Sequence, residues 1–128
     1  MKKKIVAENV EGGAVENTAP QAENKKTEKD IKDLMKLTLV QPFKYDGEEI
    51  KEIDLSGLLD LNARDLVEID REMIRQGFTG SRIELTRQYA MLVAAKVAGK
   101  PYDFCDRMNA RDSIRLKEYV TTFLYATA

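Results

Sequence analysis

The chain of 128 residues contains no histidine, no tryptophan, one cysteine and three prolines. Without histidine there is no imidazole to act as general base near neutral pH or as the commonest metal ligand. The lone thiol, Cys105, can form neither an intrachain disulfide nor a metal cluster, and its scarcity fits a reducing compartment. With nothing to activate it, Cys105 reads as a small buried side chain on an aromatic-rich turn. No apolar run approaches the roughly 20 residues that a membrane-spanning helix needs. Behind Lys2, Lys3 and Lys4 stand Glu8, Asn9, Glu11 and Gly12-Gly13, where the apolar core of a signal peptide would have to be. The expectation is a protein that stays in the cytoplasm where it is made.

Charge of one sign is also missing. The chain carries 21 basic and 22 acidic side chains, a formal net charge of −1. No segment concentrates the basic residues that nucleic-acid binding draws on. Arg111, Arg115 and Lys117 are thin support for a recognition helix. Carboxylates are plentiful, and Asp65, Glu68 and Glu72 fall along one helical stretch, with Asp103 and Asp106 near a loop. Paired acids serve glycosidases and divalent-metal enzymes, but Asp65 sits at a capping position and the others alternate with arginines as a solvated surface. Gly77-Phe78-Thr79-Gly80 lacks the Lys-Ser/Thr partner of a phosphate loop. These residues predict no enzyme, no cofactor and no metal.

What is present divides near Leu34. Residues 1–33 hold few large apolar side chains among Lys2–Lys4, Gly12-Gly13, Pro20 and a mixed-charge run from Glu23 to Asp33. Such a segment buries too little apolar surface to offset the entropy of ordering it, so it reads as a disordered charged arm with a helical turn or two at its end. Residues 34–128 are dense in Leu, Ile, Val, Met and Ala and read as a single domain.

Its first element alternates. Leu37, Leu39 and Phe43 fall on one side of a strand, Thr38 and Val40 on the other, with Pro42 marking an edge or a bulge. Asp46-Gly47 signals a tight turn, and Glu49–Leu55 a returning strand. Asn62 and Asp65 have the spacing of a capping box before the helical stripe Leu66, Ile69, Met73, with Val67 and Ile74 beside it, and Gly77 closes that helix. From about Leu85 to Ala98 a second helix is apolar nearly all round, the mark of a buried central element, and Gly99 and Pro101 end it. Tyr102 and Phe104 follow and favour core packing over a base-stacking platform, since no basic groove accompanies them. Asn109-Ala110-Arg111-Asp112 repeats Asn62-Ala63-Arg64-Asp65 letter for letter and predicts the same capping chemistry used twice. A third helix from Ala110 to near Tyr125 should bury Leu116, Val120, Phe123 and Leu124, with Ile114 and Tyr119 at its margin. The predicted fold is α+β, an N-terminal β-hairpin followed by three helices. Phe123, Leu124 and Tyr125, with Tyr119 one turn earlier, crowd a helix end where complete burial is difficult. They are the candidate protein-binding residues.

Three stretches together resemble a known family. They are Leu39-Val40-Gln41-Pro42-Phe43-Lys44-Tyr45-Asp46-Gly47 with Ile50 and Ile53-Asp54-Leu55; Leu58-Leu59-Asp60-Leu61-Asn62-Ala63-Arg64-Asp65-Leu66; and Tyr89-Ala90-Met91-Leu92-Val93-Ala94-Ala95-Lys96 followed by Gly99-Lys100-Pro101. Their order and spacing, from about residue 37 to 125, resemble the small tail assembly chaperones of long-tailed bacteriophages and prophages. The resemblance implies a protein that binds the tape measure protein in the host cytoplasm and keeps it soluble. It further implies help in recruiting tail tube subunits, and absence from the mature virion. Self-association stays open. The competing readings are a structural tail or head-completion protein and, with less support, a small DNA-binding regulator.

Deleting residues 1–30 is expected to leave the thermal unfolding midpoint within a few degrees, followed by circular dichroism. A truncated chain that no longer unfolds cooperatively would place the arm in the core.

Overall fold

A computed structural model describes residues 30–125. The predicted disordered arm falls almost wholly on residues 1–29, outside the described part, and residues 30–34 are helical, where the sequence suggested a helical turn.

Strands β1 (Lys36–Tyr45) and β2 (Glu48–Asp54) form an antiparallel hairpin. Its two turn residues both take positive φ, 51° at Asp46 and 82° at Gly47, the pairing that matches the right-handed twist of the flanking strands. Leu37, Leu39 and Phe43 of β1 are buried with Ile53 of β2 and the following Leu55, while Thr38 and Val40 face outward. The alternation therefore reads correctly. A hairpin alone is marginal in water, so this face must be covered by helices.

The hairpin is not regular. Its register runs Lys36↔Asp54, Leu37↔Ile53, Thr38↔Glu52 and then resumes at Phe43↔Ile50. Leu39 to Pro42 thus bulge opposite the single residue Lys51, with Pro42, which has no amide to donate, inside the bulge. The amides of Val40 and Gln41 have another acceptor: they donate to the two carboxylate oxygens of Asp112, at 2.9 and 3.0 Å. Arg115 Nη1 donates to Asp112 Oδ1 at 2.9 Å and to the carbonyl of Thr38 at 2.9 Å. Asn109 Nδ2 reaches Gln41 Oε1 at 2.9 Å. Asp112 is 0% exposed. Burial alone would raise its pKa, but the two amides and then Arg115 outweigh that and hold the carboxyl below its usual range.

Helix α1 (Ala63–Arg75) opens with the predicted capping box. Asp65 N donates to Asn62 Oδ1 and Asn62 N donates to Asp65 Oδ2, each at 3.0 Å. Ile69 and Met73 are buried and Leu66 is partly so, whereas Val67 and Ile74 are exposed. Gly77 closes the helix at φ 98°, as expected of a left-handed cap. Helix α2 (Arg87–Val97) begins two residues later than the apolar pattern suggests. Ile83–Leu85 make a separate 3-10 turn, and Thr86 is extended so that its hydroxyl accepts the amide of Tyr89 at 3.1 Å. Tyr89, Ala90, Leu92, Val93, Ala94 and Ala95 are buried, making α2 the central helix that packs against both α1 and α3.

Helix α3 (Ala110–Tyr125) corrects one expectation. Asn109 Oδ1 does accept the amide of Arg111, at 2.9 Å. Asp112, however, gives its carboxylate to the bulge of β1 and to Arg115 rather than back to the amide of Asn109. The repeated tetrapeptide is one capping box and one strand clamp. Between α2 and α3, Phe104 and Cys105 are buried, and Phe104 meets Phe43 and Tyr45 edge-on at centroid distances of 5.8 and 5.1 Å. Burial, then the neighbouring Asp106 charge, pushes the Cys105 thiol up to about 12, which keeps it protonated and unreactive.

Asp112→Asn is expected to cost about 3 kcal/mol at neutral pH, because a carboxamide offers one oxygen to two amide donors and turns its own donor toward one of them. The folded pKa lies below the unfolded one. The contribution is therefore complete above the unfolded value of about 4 and is lost as pH falls through the folded value. Denaturant melts of the two proteins should converge in acid; a gap that persists unchanged at low pH would show that the charge is not what holds the bulge.

Candidate functional site

The clamp fixes which face of α3 lies beside β1. Arg115, Glu118, Tyr119, Thr122 and Phe123 recur at helical spacing, and with Leu37 of β1 they line an open groove of about 520 Å³. Its lining is mainly apolar: the Tyr119 and Phe123 rings and the Leu37 side chain form it, with Phe123 39% exposed. Arg115 is held in place by Asp112 and Thr38, so its guanidinium is already committed at one end. No basic side chain among the described residues pairs with Glu118.

The four residues expected to bind a partner do not form one surface. Tyr119 and Phe123 share the groove. Leu124 is partly buried against the core. Tyr125 lies instead on the side of α3 toward Tyr89 of α2, with Glu84 and Asp70 near enough to raise its phenol after burial. The expectation that Phe123 is buried is corrected: Leu116 and Val120 fill the core-facing positions, and Phe123 falls on the flank beside Leu37. Leu37, Arg115, Glu118 and Thr122 were not anticipated as lining residues. Only the placement of α3 against β1 brings them there, and no local pattern carries that information.

Three carboxylates of α1, Asp65, Glu68 and Glu72, are employed in surface pairing. Arg75 and Gln76 hydrogen-bond Glu72, and these bonds, Arg75 first, hold its carboxyl down to about 2. Lys96 of α2 reaches Glu68 at 2.8 Å and Asp65 at 3.9 Å, tying the two helices together. A further hollow, of about 390 Å³, lies beside the hairpin turn among Lys44, Asp46, Asp103, Asp106 and Arg107. Its charges are mixed, and Asp103 already accepts the Tyr45 hydroxyl at 2.9 Å, which leaves it poorly suited to an apolar ligand.

A family model described as phage tail assembly chaperone proteins, E, or 41 or 14, matches residues 36–125. The chain belongs to the phage tail assembly chaperones. The match starts at the first residue of β1 and stops at the last residue of α3, so it contains the hairpin, the clamp and the whole groove. No curated protein and no solved structure matches the chain. Membership in a chaperone family points to a role without catalysis, in proteins that act on other tail proteins during assembly. Among the described residues of this chaperone, no helix is long and apolar enough to cross a membrane.

Phe123→Ser is expected to cost no more than about 1 kcal/mol in a denaturant melt, since that ring is already partly in water. Leu116→Ala, which opens a cavity in the core, is expected to cost about 2–5 kcal/mol. Equal losses would place Phe123 in the core.

Proposed function

We propose that this chaperone holds an apolar helical segment of the tape measure protein in the groove between α3 and β1. It thereby keeps that protein soluble in the host cytoplasm, helps recruit tail tube subunits, and is absent from the finished virion. The observation that carries this reading is the family match across all of the groove's elements. The groove itself supports it. Arg115 to Phe123 cover two helical turns, about 12 Å, the length over which a docked helix presents anchors at i, i+3 or i+4, and i+7. Apolar contact of this kind yields roughly 25 cal/mol per Å² before the cost of ordering, so Tyr119, Phe123 and Leu37 should dominate the affinity. Exposed pairs such as Glu72 and Arg75 lie on α1, outside the groove, and should contribute little.

Co-expression with the tape measure protein tests the proposal. The wild-type chaperone should raise the client's soluble yield and co-purify with it. Phe123→Ser combined with Tyr119→Ser should stay folded by circular dichroism while the client precipitates, and substitution of Glu72 and Arg75 should change little. A folded double variant that still holds the client moves the binding surface elsewhere. A wild-type chaperone that never changes client solubility, but remains bound to assembled particles, makes a structural tail or head-completion role the better reading.

A further inference from the structure

A second surface lies away from the groove, on α1. Ile69 and Met73 turn its inner side to the core, and the opposite side carries Arg64, Val67, Arg71 and Ile74. These four stand at i, i+3, i+7 and i+10, within an arc of about 80° and over about 15 Å of helix. All four are exposed, Val67 by 36% and Ile74 by 65%. They form two rows side by side. Val67 and Ile74 make an aliphatic row with seven-residue spacing, and Arg64 and Arg71 make a cationic row with the same spacing. Asp70, on the other side of the aliphatic row, is partly buried.

The arginine row has no counter-charge of its own. No carboxylate among the described residues pairs with Arg64 or Arg71. The acids beside them are engaged elsewhere: Glu68, one turn from each arginine, reaches Lys96, and Glu72 is held by Arg75 and Gln76. Arg64 also stands on the first turn of α1, at the positive end of the helix dipole, where a cation weakens the helix. Two guanidiniums are too few for the run of phosphate contacts that nucleic-acid binding draws on, and a phosphate backbone gives Val67 and Ile74 nothing to pack against. A second copy is no better match. Two-fold pairing would set the stripe against itself, and the stripe holds no carboxylate to answer four guanidiniums.

We propose that the Arg64–Val67–Arg71–Ile74 stripe of α1 docks an amphipathic helix of another protein that bears a row of glutamates or aspartates beside its aliphatic row, both at seven-residue spacing. Packed alongside α1, such a helix lays its aliphatic row on Val67 and Ile74 and meets Arg64 and Arg71 with its acids, as flanking charges do between paired helices. The aliphatic contact supplies the attraction, and the two arginines set the register and the choice of partner. The groove, lined mainly by apolar side chains, makes no such demand.

Two helical peptides test this against the full chain. Both carry leucines seven residues apart; beside them one has glutamates at the same spacing and the other lysines. Fluorescence anisotropy gives the affinity, and methyl NMR shifts of Val67 and Ile74 locate the contact. The glutamate peptide should bind at the α1 stripe, and the lysine peptide at least about tenfold more weakly. Arg64→Gln and Arg71→Gln, each confirmed folded by circular dichroism, should each weaken the glutamate peptide about two- to fivefold. The double variant should bind both peptides alike. Phe123→Ser, in the groove, should leave the glutamate peptide's affinity unchanged. Equal binding of the two peptides to the wild-type chain, no shift at Val67 and Ile74, or loss of binding on Phe123→Ser would each overturn the proposal. So would vesicles of anionic phospholipid that shift the two methyls where the glutamate peptide does not, or sedimentation showing a dimer that Ile74→Ser dissociates.

Discussion

A buried carboxylate with three hydrogen-bonding partners organises this small domain. Asp112 sits on the first turn of α3, yet its oxygens are bound by Val40 and Gln41, 72 and 71 residues away in sequence. An ionised group in the interior is tolerated only when its charge is well satisfied, and here two amides and a guanidinium do so. The arrangement needs the bulge, because only there does β1 carry two consecutive amides with no register partner on β2. It needs Arg115 as well, which answers the carboxylate and the Thr38 carbonyl together. Two adjacent amides can donate to the two oxygens of one carboxylate in few orientations, so the clamp sets the rotation of α3 as well as its distance from the sheet. That rotation decides which residues of the helix face Leu37.

Much of this fold is legible in the sequence because its punctuation is local. Asp46-Gly47 turns the hairpin, the Asn62–Asp65 box starts α1, and Gly77 and Gly99 end helices with positive φ. The alanine-rich run of α2 is recognisably a core helix because it has no polar face, and the pattern Leu37, Leu39, Phe43 names the buried side of β1. The misread elements share one cause. Asn109–Asp112 has the letters of a cap, but whether an aspartate turns toward its own helix or across to a strand depends on what is packed beside it. Phe123 fits a core position by spacing, yet Leu116 and Val120 already occupy the core side of α3. The groove was legible only in half: Tyr119 and Phe123 belong to it, Leu124 and Tyr125 do not.

The end of α3 is divided between two surfaces by helical geometry. Phe123 and Tyr125 are two residues apart, so they point about 200° from one another around the axis. One ring faces β1, while the other lies on the side of Tyr89 and Asp70. A family match that ends at Tyr125 covers both. A short helix can therefore serve two neighbours without lengthening, which suits a domain of this size, where little surface can be spared from holding the core together.

The same bulge has a bearing on aggregation. A strand at the rim of a two-stranded sheet ordinarily offers a row of free donors and acceptors on which another chain can build. On β1, the Val40 and Gln41 amides are taken by Asp112 and the Thr38 carbonyl by Arg115, and Pro42 contributes no donor at all. An incoming strand would have to displace a carboxylate and a guanidinium before it could pair across this stretch. A tail assembly chaperone works among other tail proteins, and here the helix that lines the groove also blunts the neighbouring strand against unwanted pairing.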